Sequence, residues 1–397
     1  MIKPHSKRRK AKSLFRRAWR LCLRHTWLLP LILILGVLGA YLVSPGPKNP
    51  FHKVICLSYN IGPDHPGGLN RYAKGRNDIL FVTFYTIVFS FTREFTMQRI
   101  IRPLAARCGI TRRAKQARFM EQAYTALYFS IFGPFGLYVM YNAEGGSLWY
   151  FETTPMFEGF PHLTHDGIFK AYYLLQASYW SQQAIVLLLQ LEKPRKDFKE
   201  LVLHHIVTLT LIGLSYRFHF ARMGIAVFIT HDISDFFLAT SKTFNYLDLP
   251  IVGPYFALFI FVWIYMRHYI NLRILWATLT EFRSVGPFEL NWGAQQYKCW
   301  ISQYLTFALL FSLQAVNLFW LFLILRIAKN YVFNSVVQDE RSDNDETEDD
   351  IKVSERTKQQ TLQHDTSSKP NPPIIQVNGE AVNMDTKPEG ITKRRKG

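Results

Sequence analysis

The chain combines an apolar composition with a large positive charge, and the two are segregated along the sequence. Of its 397 residues, 49% are hydrophobic and 15% are aromatic, yet the formal net charge is +18. A soluble domain would spread its apolar residues over periodic faces. Here they form long runs between charged stretches, which excludes an ordinary soluble fold and is typical of a polytopic membrane protein. The basic leader at 7–12 adjoins the first apolar run, so anionic lipid headgroups explain it and no nucleic-acid partner is expected.

Eight apolar runs predict eight membrane-spanning helices, with seven as the alternative. In chain order they lie at 27–43, 79–91, 123–140, 186–191 with the polar-aromatic stretch before it, 201–216, 223–244, 252–264 and 304–325. The run at 79–91 is the weakest, because it is short for a bilayer core of roughly 30 Å. The predicted fold class is therefore all-α, a polytopic integral membrane protein.

The distribution of basic residues predicts the orientation. The first 26 residues hold ten Lys or Arg, segment 92–122 holds eight, and segment 142–168 holds none. By the positive-inside rule the N-terminus is cytosolic and 142–168 is luminal, and eight spans return the C-terminus to the cytosol. Segment 44–78 does not fit this pattern, because it is predicted to be luminal and yet carries five basic residues: Lys48, Lys53, Arg71, Lys74 and Arg76.

The organisation read from the sequence has four parts. A basic cytosolic tail covers 1–26, N-terminal helices and loops cover 27–115, a membrane domain covers 116–331, and a polar tail that we expect to be disordered covers 332–397. Ser342 and Thr347 precede acidic residues, which favours phosphorylation by an acidophilic kinase, with a solvated acidic run as the alternative. The end, Arg394-Arg395-Lys396-Gly397, resembles a dibasic retrieval signal and predicts an endoplasmic reticulum membrane.

Ionisable side chains occur inside the fifth and sixth predicted spans, where they are costly and therefore functional candidates. They are His204, His205, His231, Asp232, Asp235 and Lys242, followed by Tyr246. If the two spans form a hairpin that turns near His219, His204 lies 15 residues before the turn and Ser234 lies 15 after it. At 1.5 Å per residue each is roughly 22 Å from the turn. The His pair and the Asp pair are therefore predicted at one depth.

The residue types in this cluster allow three interpretations. His231, Asp235 and Lys242 share one helix face, with Asp232 at its edge. A carboxylate hydrogen-bonded to an imidazole raises its basicity, so such a pair could deprotonate an amine or hydroxyl, or make the imidazole a nucleophile. The same residues could hold Zn or Fe, or form a structural polar network between helices. His219 is expected to be a surface residue, and no role is predicted for His52, His65, His162 and His165.

The stretch from His204 to Tyr246 resembles the signature motif of the longevity-assurance family of ceramide synthases. The matching residues are His204-His205, Ser215-Tyr216, Arg222 before Gly224, His231-Asp232, Asp235, Leu238, Lys242 and Tyr246. Around them, 116–331 resembles the larger TLC domain, which implies a bundle or barrel of six helices and which also occurs in lipid-handling relatives without the motif. Animal members usually have Glu where Ala239 stands, and Phe218-His219-Phe220 looks fungal in style.

The resemblance implies N-acylation of a sphingoid long-chain base by a fatty acyl-CoA, expected to be very-long-chain. Its catalytic residues map onto His204, His205, Asp232 and Asp235, with His231, Lys242, Tyr246, Arg222, Ser215 and Arg267 in supporting or substrate-binding roles. Neither a cofactor nor a metal is expected, since acyl-CoA is a substrate. Two mechanisms fit: direct attack of the amine assisted by a His–Asp pair, or prior transfer of the acyl group to His204, which we favour.

The resemblance also predicts the surroundings of the reaction. The CoA phosphates are expected at a cytosolic mouth near Lys193, Arg195, Lys196 and Lys199, for which positive-inside topology is the alternative explanation. Arg267 is expected to contact substrate or a polar network, with snorkelling at a helix end as the alternative. Further partners are membrane lipids, a small single-span regulatory subunit, and a second copy or paralogue in a dimer. A non-enzymatic lipid carrier, sensor or translocon accessory protein is the competing class.

Overall fold

The computed structural model describes residues 20–22, 24–192 and 196–334, and most of these are helical. The long helices are α1 (Leu28–Leu42), α3 (Asn77–Thr96), α5 (Arg113–Asn142), α6 (Gly167–Leu188), α7 (Phe198–Arg217), α8 (Ala221–Tyr246), α9 (Val252–Ile264), α10 (Asn271–Ser284) and α11 (Trp300–Asn334). Two short helices are α2 (His52–Ile55) and α4 (Arg102–Arg107). A π-helical turn at Met97–Ile101 joins α3 to α4, and another at Tyr265–Ile270 joins α9 to α10.

Six helical stretches in the described part of the chain are long and apolar enough to cross a membrane. They are Asn77–Arg107, Arg113–Gly146, Phe198–Arg217, Ala221–Tyr246, Val252–Ser284 and Trp300–Phe333. The other two predicted spans correspond to α1, which is apolar but has only 15 residues, and to α6, whose 22 residues include many polar and aromatic side chains. The prediction of a polytopic all-α membrane protein is confirmed.

Two of the predicted boundaries are wrong. The run at 79–91 is not short, because it belongs to a continuous helical stretch of 31 residues, Asn77–Arg107, that extends through the basic segment expected to be a loop. The buried guanidinium of Arg93 makes this extension possible, since it forms ion pairs with Glu94 and Glu192. The run at 252–264 likewise continues through the second π-helical turn to Ser284.

Contacts between helix ends define two sides of the bundle. We call the side of the Phe218–Phe220 turn the turn side, and the side of the connection between α8 and α9 the mouth side. Lys115 at the start of α5 pairs with Asp248 at 3.1 Å on the mouth side. Since α7 ends at Arg217 and α8 begins at Ala221, the predicted hairpin around His219 is confirmed.

A small antiparallel sheet covers the turn side. Its strands β1 (Asn60–Pro63), β2 (Asn70–Ala73) and β3 (Thr164–Asp166) lie in the order β1-β2-β3 and join the basic segment 44–78 to the acidic segment 142–168. Arg71 on β2 donates to Asp166 at 2.8 Å and contacts Glu144 at 3.3 Å. The basic residues of segment 44–78 did not fit the positive-inside rule. The ion pairs of Arg71 with Asp166 and Glu144 show that acidic residues on the same side neutralise part of this charge.

The turn-side cluster consists of Arg71, Glu144, His165, Asp166 and Arg222, and Glu144 lies at its centre. One oxygen of the Glu144 carboxylate accepts from His165 Nδ1 at 3.1 Å, and the other accepts from Arg222 at 2.8 Å. The Glu144 side chain is only 2% exposed. Because Arg222 begins α8 and Glu144 follows α5, the ion pair holds the ends of two helices together.

The expectation that His219 is a surface residue is wrong. Its side chain is buried, and its backbone has a positive φ of 70°. Nδ1 of the ring lies 3.3 Å from Lys74 Nζ, and Nε2 donates to Gln295 at 3.1 Å. Burial lowers the pKa of His219 to about 4 and that of Lys74 to about 7. The turn therefore packs beneath the loops of the turn side rather than facing solvent.

Close approach of helices places α8 in the middle of the core. A Cβ added to Gly136 on α5 would lie 2.5 Å from Tyr172 Oη, and one added to Gly224 on α8 would lie 2.8 Å from Tyr173 Oη. Both positions therefore require glycine, because two helices meet there over tyrosine rings of α6. Helix α8 is thus surrounded by protein along the segment that carries His231 and Asp232, which are both buried.

Candidate active site

His204 lies at the centre of the candidate site. Its ring on α7 is buried among Trp320, Trp180 and His231, with centroid distances of 5.1, 5.8 and 6.4 Å. Nε2 lies 3.5 Å from the Thr208 hydroxyl, a distance at the limit for a hydrogen bond. Nδ1 has no hydrogen-bond partner within the described residues. A buried imidazole with a nitrogen left available is a candidate nucleophile or base.

Arg267 organises the polar groups around His204. Its guanidinium donates to Asp235 at 2.5 Å, to the Ser234 hydroxyl at 2.6 Å and to Asn317 at 3.0 Å. It also lies over the Trp263 ring at 4.2 Å. The residue is only 2% exposed, so it is a network contact rather than a side chain that snorkels from a helix end.

The local backbone explains how Arg267 reaches this network. Arg267 and His268 lie in the π-helical turn Tyr265–Ile270, and both are buried. A π-helical turn inserts one residue into an α-helix and shifts the face that follows, and such turns are frequent at functional sites. An uninterrupted α-helix would have a different face toward α8. The sequence alone could not reveal this shift, because apolar residues flank the turn on both sides.

The network also determines the tautomer of His231. A guanidinium can only donate, so the amide oxygen of Asn317 faces Arg267 and its nitrogen faces His231. That nitrogen lies 3.3 Å from Nε2 of His231, which must accept. The ring proton is then on Nδ1, which lies 2.8 Å from the carbonyl oxygen of Val227. Both nitrogens of His231 are therefore occupied, and the ring orients other groups rather than reacting.

Asp232 points to a different helix from Asp235. Its carboxylate accepts from Tyr172 at 3.1 Å and from Gln176, both on α6. Neither aspartate hydrogen-bonds an imidazole of residues 20–22, 24–192 or 196–334, so the direct His–Asp pair expected from the sequence is absent there. The physical reason is that Arg267 and Asn317 lie between Asp235 and His231.

Two cavities meet at His204 and Trp180, which line both of them. The mouth cavity, of about 180 Å³, has a mixed lining that includes Asp197, His205, Asp235, Lys242, Arg267 and Trp320. The tail cavity, of about 80 Å³, runs toward the turn side and is lined mainly by apolar residues, with Tyr173, Thr208, Ser215, Phe218, Phe220 and Leu309 among them. A polar substrate part and an apolar substrate part could therefore meet at the His204 ring.

The structure brings together only part of the predicted set. His205 and Lys242 line the mouth cavity beside His204, and His205 uses Nδ1 to donate to Leu201 at 2.9 Å. Ser215 lies farther along the tail cavity, whereas Arg222 belongs to the turn-side cluster and Tyr246 ends α8. Lys196 and Lys199 are exposed just before and within the first turn of α7. Lys193, Arg195, Ser342 and Thr347 lie outside the described residues.

The structure discriminates among the three interpretations of the cluster. Within residues 20–22, 24–192 and 196–334, no group of three or more His, Cys, Asp and Glu side chains is placed to hold a metal ion. Asp232, with its two donors on α6, fits a structural network. His204 differs from such structural groups because it lines both cavities and its Nδ1 has no partner among the described residues.

Several residues that hydrogen-bond to the candidate site were not predicted from the sequence. Asn317 lies in the last predicted span, and Tyr172 and Gln176 lie in α6. Asn317 and Gln176 are fully buried. The sequence feature that could have indicated Asn317 is a pair of polar amides inside an apolar run, since Gln314 and Asn317 lie one helical turn apart on α11. Gln314 donates to His268 at 2.7 Å, so both amides hold residues of the π-helical turn.

Comparison with known proteins identifies the family of the chain. The family model described as the TLC domain matches residues 118–326. The chain is 50% identical to the ceramide synthase LAG1 of Saccharomyces cerevisiae over 82% of its own length and 78% of that protein. It is also 50% identical to the sphingosine N-acyltransferase lac1 of Schizosaccharomyces pombe, over 87% and 89% respectively.

These matches define first a class and then a family. The class is that of polytopic membrane proteins with a TLC domain, and the matched region contains every helix that contributes to the His204 site. The chain belongs to the ceramide synthase family within that class, and it is an acyltransferase. The prediction of a fungal-type member is confirmed, and the competing class of non-enzymatic lipid carriers is not favoured.

Proposed function

We propose that the protein transfers a fatty acyl group from acyl-CoA to the amine of a sphingoid long-chain base, and that His204 carries the acyl group between them. The observation that supports this is the position of His204, whose unpartnered Nδ1 lies where a polar cavity meets an apolar one. An acyl-CoA has the same division, with a polar nucleotide, a reactive thioester and an apolar tail. The ring would meet the thioester when each part occupies the matching cavity.

In the first step Nδ1 of His204 attacks the thioester carbonyl carbon. The C–S bond breaks and CoA leaves as the thiolate, while the proton on Nε2 is held by the hydroxyl of Thr208, 3.5 Å away. The guanidinium cation of Arg267 lines the same cavity as His204 and would favour the developing negative charge on oxygen and sulfur. The result is an acyl-imidazolium cation that keeps its Nε2 proton, in a buried pocket where low water access slows its hydrolysis.

In the second step the amine of the sphingoid base attacks the acyl carbon. A C–N amide bond forms, the bond to Nδ1 breaks, and the neutral imidazole is regenerated as the amine loses a proton. The carboxylate of Asp235 borders the mouth cavity and can accept that proton or hold the ammonium form before reaction. Neither step needs a cofactor, since the thioester supplies the driving force.

The mouth cavity is the proposed site of the CoA moiety. Lys242 lines it, and Lys196 and Lys199 lie near its rim at the start of α7. Lys193 and Arg195 stay predictions for the same role, because they fall outside the described residues. Positive charge at this rim would attract the phosphates from solution without requiring a rigid contact.

The setting of the reaction is proposed from the sequence. The basic N-terminal tail and the dibasic C-terminal end support an endoplasmic reticulum membrane with both termini in the cytosol. A very-long-chain donor, a small single-span regulatory subunit and a homo- or heterodimer are proposed from the family resemblance. Phosphorylation at Ser342 and Thr347 is proposed from the acidic residues that follow them.

The test is a reconstitution in membranes that lack ceramide synthase. Labelled sphinganine is supplied with C16 to C26 acyl-CoA, and the wild type is compared with His204→Ala and Asp235→Ala. We expect ceramide from the wild type and none from either variant, although both remain folded by thermal unfolding of the purified protein. His65→Ala, an exposed histidine in the β1–β2 connection, is the matched control and should retain full activity.

A trapping measurement separates the two mechanisms. Labelled acyl-CoA without sphinganine should acylate the wild type and His65→Ala but not His204→Ala. Ceramide formation without any acylated protein would support direct attack by the amine instead. A wild type that binds sphinganine and yet consumes no acyl-CoA, with a small subunit supplied, would contradict the proposal and favour a lipid carrier.

A further inference from the structure

A third cavity lies beside the tail cavity, on the other side of Tyr173. It occupies about 1090 Å³ at the turn side between α3, α6 and α7, and we call it the turn-side cavity. Tyr173 and Ile212 line both this cavity and the tail cavity, so they form the wall between them. The lining near this wall is apolar and includes Val82, Leu174 and Ala177, whereas Gly213 is exposed at the open side and charged and polar residues lie toward the loops.

Tyr173 is held in this wall by contacts on two helices. Its hydroxyl lies 2.5 Å from the Ser215 hydroxyl and 3.3 Å from the Ile212 carbonyl oxygen on α7. On α8, Gly224 leaves room for the ring, since a Cβ there would lie 2.8 Å from Tyr173 Oη. Tyr173 is therefore the larger of the two side chains in the wall, and a rotation of its ring would widen the connection beside Ile212.

The length of the tail cavity limits the acyl chain that it can hold. His204 and Phe218 are 14 residues apart on α7, which is about 21 Å at 1.5 Å per residue. A zigzag chain with bonds of 1.5 Å advances about 1.3 Å per carbon, so roughly sixteen carbons reach Phe218. Beyond this point Phe220 stacks on Phe160 at 4.8 Å and on Phe282 at 5.5 Å, which closes the end.

We infer that the turn-side cavity receives the distal end of acyl chains longer than about sixteen carbons, and that Tyr173 is the side chain that admits them. This inference rests on the proposed acyl transfer at His204. A chain that turns at Tyr173 leaves the closed end and enters a cavity of about 1090 Å³, slightly larger than the usual pocket for a drug-sized ligand. Its apolar floor would then replace lipid around the last methylene groups.

Gly213 offers a way to fill the turn-side cavity without touching the tail cavity. It lines only the turn-side cavity of the two, and a Cβ at this position has no heavy atom within 4 Å. Glycine is also a poor helix former, so Gly213→Phe should not weaken α7. Gly39→Phe on α1, where a Cβ likewise meets nothing within 4 Å, is the matched control.

The experiment measures ceramide formed from C26 and C16 acyl-CoA in the same membranes. We expect Gly213→Phe to lower the C26-to-C16 ratio at least about tenfold, the change produced when two methylene groups lose their burial. Tyr173→Ala should raise the ratio, Tyr173→Phe should change it little, and Tyr173→Ala/Gly213→Phe should return it to the level of Gly213→Phe. Gly39→Phe should match the wild type.

Two outcomes would overturn the inference while leaving acyl transfer intact. They are an unchanged ratio in Gly213→Phe, and a wild type that makes C16 ceramide but uses no donor longer than C18. If no donor is used at all, the proposed function fails instead. The cavity is then tested by thermal unfolding of the purified protein with C26 or C16 fatty acid. We expect the C26 acid to stabilise the wild type but not Gly213→Phe, and the C16 acid to stabilise the two proteins equally. If the C26 acid stabilises Gly213→Phe as much as the wild type, the cavity assignment is refuted.

Discussion

Two buried polar clusters contact α8, the turn-side cluster at its start and the Arg267 network at its middle, and they use their charges differently. In the turn-side cluster both oxygens of Glu144 accept from basic side chains, at 3.1 Å from His165 and 2.8 Å from Arg222. In the Arg267 network the guanidinium is equally well paired, but its contacts extend to Asn317 and His231 and end beside His204. There a ring nitrogen is left without a partner between two cavities.

Buried charge is therefore not by itself a sign of catalysis in this protein. Both clusters contain an arginine, a carboxylate and a histidine, and both are largely removed from solvent. What distinguishes the candidate active site is that its unpartnered imidazole nitrogen belongs to a residue that lines two cavities. The turn-side cluster also has buried nitrogens without a hydrogen-bond partner in the described part of the chain, at His165 Nε2 and Arg222 Nε, but neither residue lines any of the three cavities. Its charges join helices and loops, so we expect its loss to lower the free energy of unfolding rather than kcat.

The largest expected effect is that of Arg267→Met. It leaves Asp235 without its ion pair and frees the Asn317 amide to rotate, so His231 loses its fixed tautomer. We expect kcat/KM to fall by about 10² or more and the free energy of unfolding to fall by about 3 kcal/mol, as for other broken buried pairs. Activity per folded protein and thermal unfolding in detergent measure the two. Near wild-type activity in the folded fraction would contradict the network's role.

The next effect is that of Glu144→Gln in the turn-side cluster. The amide cannot accept from Arg71, His165 and Arg222 as the carboxylate does, so buried cations lose their partner. We expect the free energy of unfolding to fall by about 2 kcal/mol while kcat per folded molecule stays unchanged. Glu158→Gln, an exposed acid in the same segment, is the control. A selective loss of kcat in Glu144→Gln would break the distinction between the clusters.

A smaller effect should appear as acid sensitivity of the turn side. Burial, followed by the charge of Lys74, lowers the pKa of His219 from 6.5 to about 4. Between these two pH values the unfolded chain binds more protons at His219 than the folded one, so the contribution of His219 to stability falls as the pH drops from 6.5 toward 4. Thermal unfolding from pH 7.5 to 4.5 should show this loss, with a shallower slope for His219→Gln. Parallel slopes would contradict this source of acid sensitivity.

The smallest effect is expected at the rim of the mouth cavity. Lys196 and Lys199 are exposed, so Lys196→Gln/Lys199→Gln should raise KM for acyl-CoA only a few-fold and leave kcat unchanged. Added salt should reduce the difference from the wild type, because it screens exposed charges. Lys53→Gln, an exposed lysine on the turn side, is the control. A change in kcat without one in KM would place these lysines in a different role.

Long apolar runs and the order of charges were sufficient to predict the all-α membrane class and the α7–α8 hairpin. A run of apolar residues needs no partner in order to favour a membrane, and its length decides whether it spans. The motif from His204 to Tyr246 likewise identified the family, because many residue types at set spacings rarely coincide. Helix ends were predicted poorly at Arg107 and Ser284, since ion pairs and π-helical turns extend helices beyond the apolar run.

The tertiary structure decided which polar groups work together. The sequence could bring His204 level with Asp235, but only packing shows that Arg267 and Asn317 lie between the aspartate and His231. It also separates Asp232 from Asp235 and moves Arg222 and His219 into the turn-side packing. The physical reason is that hydrogen bonds and cavities depend on the rotation of neighbouring helices to within a few ångströms. Residue spacing along one chain specifies depth in the membrane but not that rotation.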